Sequence, residues 1–330
     1  MPVLGLIGRR MIGSLPVLLI VLLGSFFLLN AATGDAVDAY IASMGGGDAQ
    51  LAATLRAQYG LDASPLARLW FYLTQLAQGN MGWSVALNRP ISALILERLP
   101  TTLLLMGSAT AVAFVLGTAL GILAGWRPGS ALDRLLSGGS LALYSVPGFW
   151  FALVLVVVFS VQLRWFPVSG FETIASGLSG LARARDIAWH LALPVTALGT
   201  IYLALFLRMM RTGMAEVWRR DFTLAARARG LSEARVTLNH VARNALLPLI
   251  TMLGLQAAGM LGGSVVIESI FAIPGFGRLA HEAVSGRDAP LLLGVILVSA
   301  VMVVLVNLLV DLVYALLDPR VGSGAGGGDA

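Results

Sequence analysis

Six apolar runs alternate with polar segments along the chain and set the expected architecture. They cover Met11–Leu29, Leu103–Gly125, Leu141–Val161, Ile187–Leu207, Ala245–Ile267 and Leu291–Val310. A helix crosses a bilayer with about 20 predominantly apolar residues, so each run predicts one transmembrane helix. Arg9 and Arg10 precede the first run, and Asn30-Ala-Ala-Thr resembles a signal cleavage site. A signal core is about 7–15 residues long; this run is longer and reads as a retained helix. Pro16 near its start is tolerated where neighbouring groups satisfy the freed backbone. Pro147-Gly148 interrupts the third run, as a hinge or a kink.

The polar segments carry their own pattern. Residues 31–100 form a long loop or cap. Within it, Asp48–Tyr59 predicts a short helix closed by Gly60. Ser64-Pro65 supplies an N-cap and a first-turn proline for a second helix to about Gln78, stopped by Gly79. Asn80-Met-Gly-Trp-Ser is turn-like, and Ile91–Arg98 is expected along the membrane surface with Trp83 as anchor. A solvated cap without chemistry is the simplest reading of this region. In the second run Ala109, Ala113, Gly117, Gly121 and Gly125 recur every four residues. Small residues on one helix face let a second helix approach closely. Gly254, Ala258 and Gly262 repeat the spacing in the fifth run. With 38 glycines in the chain a chance match is the alternative, and the strict register favours a packing face. Glu268–Pro290 reads as a loop holding Ile273-Pro-Gly-Phe-Gly277, and the tail from Gly322 as disordered.

Composition supports the membrane reading. The 330 residues are 58% hydrophobic and 12% charged, against about 25% charged in soluble domains. All 22 basic residues are arginine. Six spans place both termini on one side. With the N-terminus inside, 13 arginines fall on short inside segments and nine on longer outside ones, which predicts cytoplasmic termini. There is no cysteine, and His190, His240 and His281 are too dispersed for a metal site. His190, near the end of the fourth run, reads as a satisfied interfacial histidine. Ionisable groups are almost absent from the runs, Glu268 and Asp311 lying just beyond span ends, which argues against an intramembrane enzyme.

Residues 208–248 hold eight arginines between two apolar runs. Thr223 to Val236 has a helix–glycine–helix order. Gly230 suits a positive φ, and Ser232 with Glu233 suits the start of the next helix. Leu231, Val236 and Leu238 add a partly apolar face. Such a short helix suits a groove in another protein; a basic loop that only fixes topology and touches anionic lipid is the alternative.

Leu224-Ala-Ala-Arg-Ala-Arg-Gly230 resembles the Glu-Ala-Ala-x-x-x-Gly signature of permease subunits of bacterial ATP-binding cassette importers. Asp221 to Ser232, His240-Val-Ala-Arg-Asn-Ala-Leu-Leu-Pro248, Val265 to Gly277 and Asn307 to Arg320 resemble the dipeptide/oligopeptide/nickel branch. Phe166-Pro-Val-Ser-Gly170 and Tyr59-Gly-Leu-Asp62 are weaker matches. Leu224 replaces the signature glutamate, and Ala32-Thr-Gly-Asp35 stands where the branch has Pro-Gly-Asp. The resemblance implies an all-α polytopic protein with six transmembrane helices, the type I importer permease fold and a cytoplasmic coupling helix. It implies boundaries at 1–10 for the N-terminus, 11–30 for the first span, 31–100 for the cap, 101–320 for the permease core and 321–330 for the tail. Ala225, Ala226, Arg229, Gly230, Leu231, Ser232 and Glu233 would couple to an ATPase, and Glu268, Pro274, Gly275 and Gly277 would lie near the translocation path.

The implied partners are a second homologous permease, two cytoplasmic ATPases, an extracytoplasmic solute-binding protein and the lipid bilayer, with no nucleic acid. This chain would hold no cofactor, ATP and magnesium being bound by the ATPases. It has no lysine, and so no Gly-x-x-x-x-Gly-Lys loop. The expected location is the bacterial inner membrane, and the expected cargo di- or oligopeptides, with nickel complexes or another small solute as the alternative. A basic membrane scaffold and a passive channel are the readings from other classes.

Overall fold

The computed structural model describes residues 2–31, 37–38, 41, 49–58 and 62–317. The apolar runs become long helices. Helix α1 is Pro2–Ala31, α2 Ala49–Gln58 and α3 Pro65–Ala77; strands β1 (Trp83–Ser84) and β2 (Arg89–Pro90) form a small antiparallel hairpin. Then follow α4 (Ile91–Trp126), α5 (Ala131–Ser145), α6 (Gly148–Leu155), α7 (Gly180–Trp218), α8 (Asp221–Ala228), α9 (Glu233–Arg235), α10 (Arg243–Ile270), α11 (Phe276–Ser285) and α12 (Ala289–Leu317). Wide π-helical turns at Val156–Gln162 and Val236–Ala242 extend α6 and join α9 to α10.

Among the described residues four helical segments are long and apolar enough to cross a membrane: Arg10–Ala31, Ile91–Trp126, Gly180–Trp218 and Ala289–Leu309. The third apolar run differs from a kinked span. Ala131–Ser145 and Gly148–Gln162 meet at 101°. Val146 (ψ 129°) and Pro147 (φ −59°, ψ 129°) are both out of the helical region, as expected of a proline and the residue before it. The fifth run lies inside α10.

The cap helices follow their local signals. The Ser64 hydroxyl accepts from the Ala67 N–H, Pro65 opens α3, and Gly79 leaves it at φ +77°. Two other expectations are overturned. Ile91–Arg98 is no surface helix but the start of α4, continuous through Pro100. Ile91, Leu94 and Ile95 are buried in one cluster with Phe276, Leu279, Ala283 and Leu291. Nor is 268–290 a plain loop, because it contains α11, whose Phe276, Leu279 and Ala283 share that core. The Gly60 stop, residues 59–61, the Ala32-Thr-Gly-Asp35 stretch, residues 318–320 and the tail lie outside the described residues, as do the side chains of Ala258 and Gly262.

The chain forms two compact units, Met1–Thr102 with Pro274–Leu308, and Leu103–Ile273 with the C-terminal residues. In the first, buried Asp288 accepts from the Ser84 hydroxyl (2.7 Å) and from the N–H groups of Ala86 (2.9 Å) and Leu291 (3.1 Å). One carboxylate thus pins the hairpin and caps α12. The second unit has two cores. One gathers Leu105, Leu155, Leu198 and Phe271; the other gathers Met210, Met214, Val236 and Leu249.

Candidate coupling site

Helix α8 is eight residues long, and its sequence explains both ends. Asp221 opens it, a carboxylate at the positive end of the helix dipole. The Thr223 hydroxyl lies 2.7 Å from the Arg220 carbonyl and 3.0 Å from that of Trp218. At the other end Gly230 sits at φ +78°. The Gly230 N–H donates to the Arg227 carbonyl (2.9 Å), and the Leu231 N–H to that of Ala226 (3.4 Å). This pair of bonds is a Schellman motif, and the accompanying apolar contact is present, since Leu231 packs on the cluster that holds Ala226.

The helix has an inward and an outward face. Thr223 and Ala226 are each 1% exposed. Ala226 shares an apolar cluster with Met210, Met214 and Val217 of α7 and with Val236, Val241 and Ala245 beyond Gly230. Phe222, Leu224, Ala225, Ala228 and Arg229 face outward, Leu224 being 64% exposed. Across the turn, Arg227 donates to Glu233 (3.2 Å) and its guanidinium lies 4.7 Å from the centre of the Trp218 ring. The Trp218 indole N–H donates to the Gly125 carbonyl (3.1 Å), tying the ends of α7 and α4.

Beyond Gly230 the structure departs from the expected short helix. Ser232 occupies the N-cap position, but its hydroxyl makes no cap bond. The helix entered at Glu233 does not stop: Arg235, Ala242 and Arg243 all hold right-handed helical angles, so α9 runs through the π turn into α10. Residues 236–242 contain neither glycine nor proline, and Val236, Thr237, Val241 and Ala242 are buried. The coupling candidates therefore divide. Ala226 and Leu231 anchor the segment inward, whereas Ala225, Arg229, Gly230, Ser232 and Glu233 are exposed.

The small-residue stripe of α4 lies against α7. A Cβ on Gly117 would come 2.7 Å from the Leu203 carbonyl oxygen, one on Gly121 2.5 Å from Met210 Cβ, and one on Gly125 2.9 Å from Met214 Cβ. Ala109 and Ala113 are fully buried, and Gly199 of α7 approaches Ala109. Gly254 is buried in α10.

The loop-motif residues fall in both units. Glu268 is fully buried in the last turn of α10 rather than beyond a span, and its carbonyl accepts from Ile273 N–H (2.8 Å). The Phe271 carbonyl accepts from Gly170 N–H (2.8 Å), so the Phe166–Gly170 motif braces this end of α10. In the first unit Gly275 is the N-cap of α11, the Phe276 N–H donates to the Thr102 hydroxyl (2.7 Å), and Pro274 and Gly277 flank that start. His190 sits in α7 with Nδ1 2.9 Å from the Asp186 carbonyl.

One pair escaped sequence reasoning. Asp133, 2% exposed, receives both Nε and Nη2 of Arg211, the latter at 2.8 Å, and also the Gly129 N–H and the Ser137 hydroxyl. This joins the start of α5 to α7 across 78 positions. The only signal was an acidic residue beside arginines in a short loop.

Comparison with known proteins identifies the family. The family model described as "Binding-protein-dependent transport system inner membrane component" matches residues 117–323. The chain is 37% identical to the oligopeptide transport system permease protein AppB of Bacillus subtilis, over 95% of this chain and 98% of that one. It is 38% identical to the di/tripeptide transport system permease protein DppB of Pseudomonas aeruginosa, over 96% and 98%. An inward-facing structure of the MetNI methionine ABC transporter shares the fold, with TM-score 0.56 at 17% identity over 69% of this chain and 97% of that one. The chain is thus a multi-pass membrane protein and belongs to the family of inner-membrane components of binding-protein-dependent transport systems, as a permease subunit of an ATP-binding cassette importer.

Proposed function

We propose that the chain carries short peptides across the inner membrane by alternating access, using six spans and two cytoplasmic termini. It pairs with a second permease, receives cargo from an extracytoplasmic solute-binding protein, and is driven by two ATPases docked at α8. The names of the related permeases support the cargo. The observation that carries the mechanism is the two-faced α8. Its outward side offers Leu224, Ala225 and Arg229 to a partner, while Ala226 and Leu231 root it in the core of α7 and α10. A push on such an element moves the helices beneath it as a body, and nucleotide binding then shifts the population between inward- and outward-facing states. Catalysis stays with the ATPases.

The test is ATP-dependent peptide uptake by the reconstituted complex. Gly230→Pro and Ala226→Trp should abolish uptake while the permease still inserts, the first by removing the N–H that closes α8, the second by forcing a large ring into a filled core. Full uptake with both variants would refute the coupling role.

A further inference from the structure

The geometry points to a binding site for an anionic phospholipid between α4, α7 and the π turn that enters α10. An open cavity of about 550 Å³ lies there, with Ile122, Leu238 and Leu246 as apolar wall and Thr118, Asn239 and Arg243 as polar groups. The Thr118 hydroxyl oxygen is buried and has no hydrogen-bond partner among the described residues. Arg243 and Asn239 likewise have no side-chain hydrogen bond or ion pair there. An apolar slot rimmed by the exposed Asn239 amide and Arg243 guanidinium matches a phosphodiester with an acyl chain below it. Basic pockets between transmembrane helices on the cytoplasmic side bind acidic headgroups by this chemistry.

The sign of the headgroup follows from the lining. Among the described residues no carboxylate borders the cavity, so the ammonium of a zwitterionic lipid finds no counter-charge, whereas a phosphatidylglycerol headgroup carries no ammonium and needs only the guanidinium. The position suits a lipid too. Arg243 opens α10 just before the fifth apolar run, and Thr118 and Ile122 lie in the last turns of the second. The site rests on the proposed placement of residues 208–248 at the cytoplasmic face.

The test uses the intact importer complex in nanodiscs of equal phosphatidylglycerol and phosphatidylethanolamine. After a detergent wash, retained lipid is quantified by mass spectrometry. Wild type should retain phosphatidylglycerol over phosphatidylethanolamine at a ratio of about 5:1 against 1:1 in the input, the preference expected from one arginine near the surface. Arg243→Gln should bring the ratio to that of the input, Arg243→Lys should keep part of it, and Ile122→Trp should lower total retention without altering charge. A wild-type ratio equal to the input, or no change in Arg243→Gln and Ile122→Trp together, overturns the site. So does a disulfide between Leu238→Cys and a cysteine in the second permease, which would show the cavity closed by protein. ATPase co-purification from the same samples reads the permease assignment separately.

Discussion

Gly121 and Gly138 are both helical glycines, and replacing each by alanine should move stability in opposite directions. At Gly121 the new Cβ would lie 2.5 Å from Met210 Cβ and 2.8 Å from the Leu207 carbonyl oxygen. Carbon atoms in contact sit about 3.5–4.0 Å apart, so α4 and α7 must separate locally by about 1 Å. Overpacking of this kind costs about 1–3 kcal/mol, against about 0.5–1 kcal/mol gained from alanine in a helix. At Gly138 nothing lies within 4 Å, and only the gain remains. The two variants should differ by about 2 kcal/mol, which corresponds to at least about 4 °C in Tm for a domain of about 150–250 residues. Thermal unfolding of the purified permease in detergent, followed by tryptophan fluorescence, measures this. Gly121→Ala as stable as Gly138→Ala would refute the close approach of the two helices.

Single cysteines at Ser232 and Ser64, both exposed in a cysteine-free chain, should react with an impermeant thiol reagent from opposite sides; same-side labelling contradicts six spans. Burial pushes the Tyr72 hydroxyl up to about 12. The unfolded chain then ionises first as pH rises past its ordinary value of about 10, so this contribution, intact below 10, is lost between about 10 and 12. Because that hydroxyl is buried without a partner among the described residues, Tyr72→Phe should hold or raise Tm by the equivalent of about 1 kcal/mol and flatten the alkaline fall. Asp133→Ala strands Arg211, which is 36% exposed and so partly rescued by water. A loss of about 2 kcal/mol is expected, and Asp133→Ala with Arg211→Ala should cost less than the two singles together; strict additivity would dismiss the pair.

Features that depend on neighbours in sequence were readable. The stripe from Ala109 to Gly125 needs only the period of a helix; Ser64 acts through its own hydroxyl, and Gly79 and Gly230 through their own backbone angles. Features that depend on distant partners were not. Hydropathy marks where a helix leaves lipid, not where it ends, so α4, α7 and α10 all outrun their apolar cores. Arg235, His240 and Arg243 made a continuous helix look like a short one. Helix α11 was hidden because its apolar positions, Phe276, Leu279 and Ala283, are spaced among charges. The corner at Pro147 shows the same limit: proline announces a lost hydrogen bond, but packing chooses the angle. In the coupling candidates the order of elements was legible, while the inward or outward sense of Ala226 and Leu224 came only with the folded core.

The indole bond from Trp218 to Gly125 closes a mechanical circuit. Helix α7 is 39 residues long, with Pro194 buried within it and Trp218 at its end. From Pro194 to Trp218 the arm measures about 36 Å at 1.5 Å per residue, so a swing of about 5° carries its tip by about 3 Å. The tip is clamped at once to α4, through Gly125, and to α8, through Arg227 stacked on the same ring. Under the proposed docking at α8, a displacement entering there would reach both long arms together, with Trp218 as the pin between them.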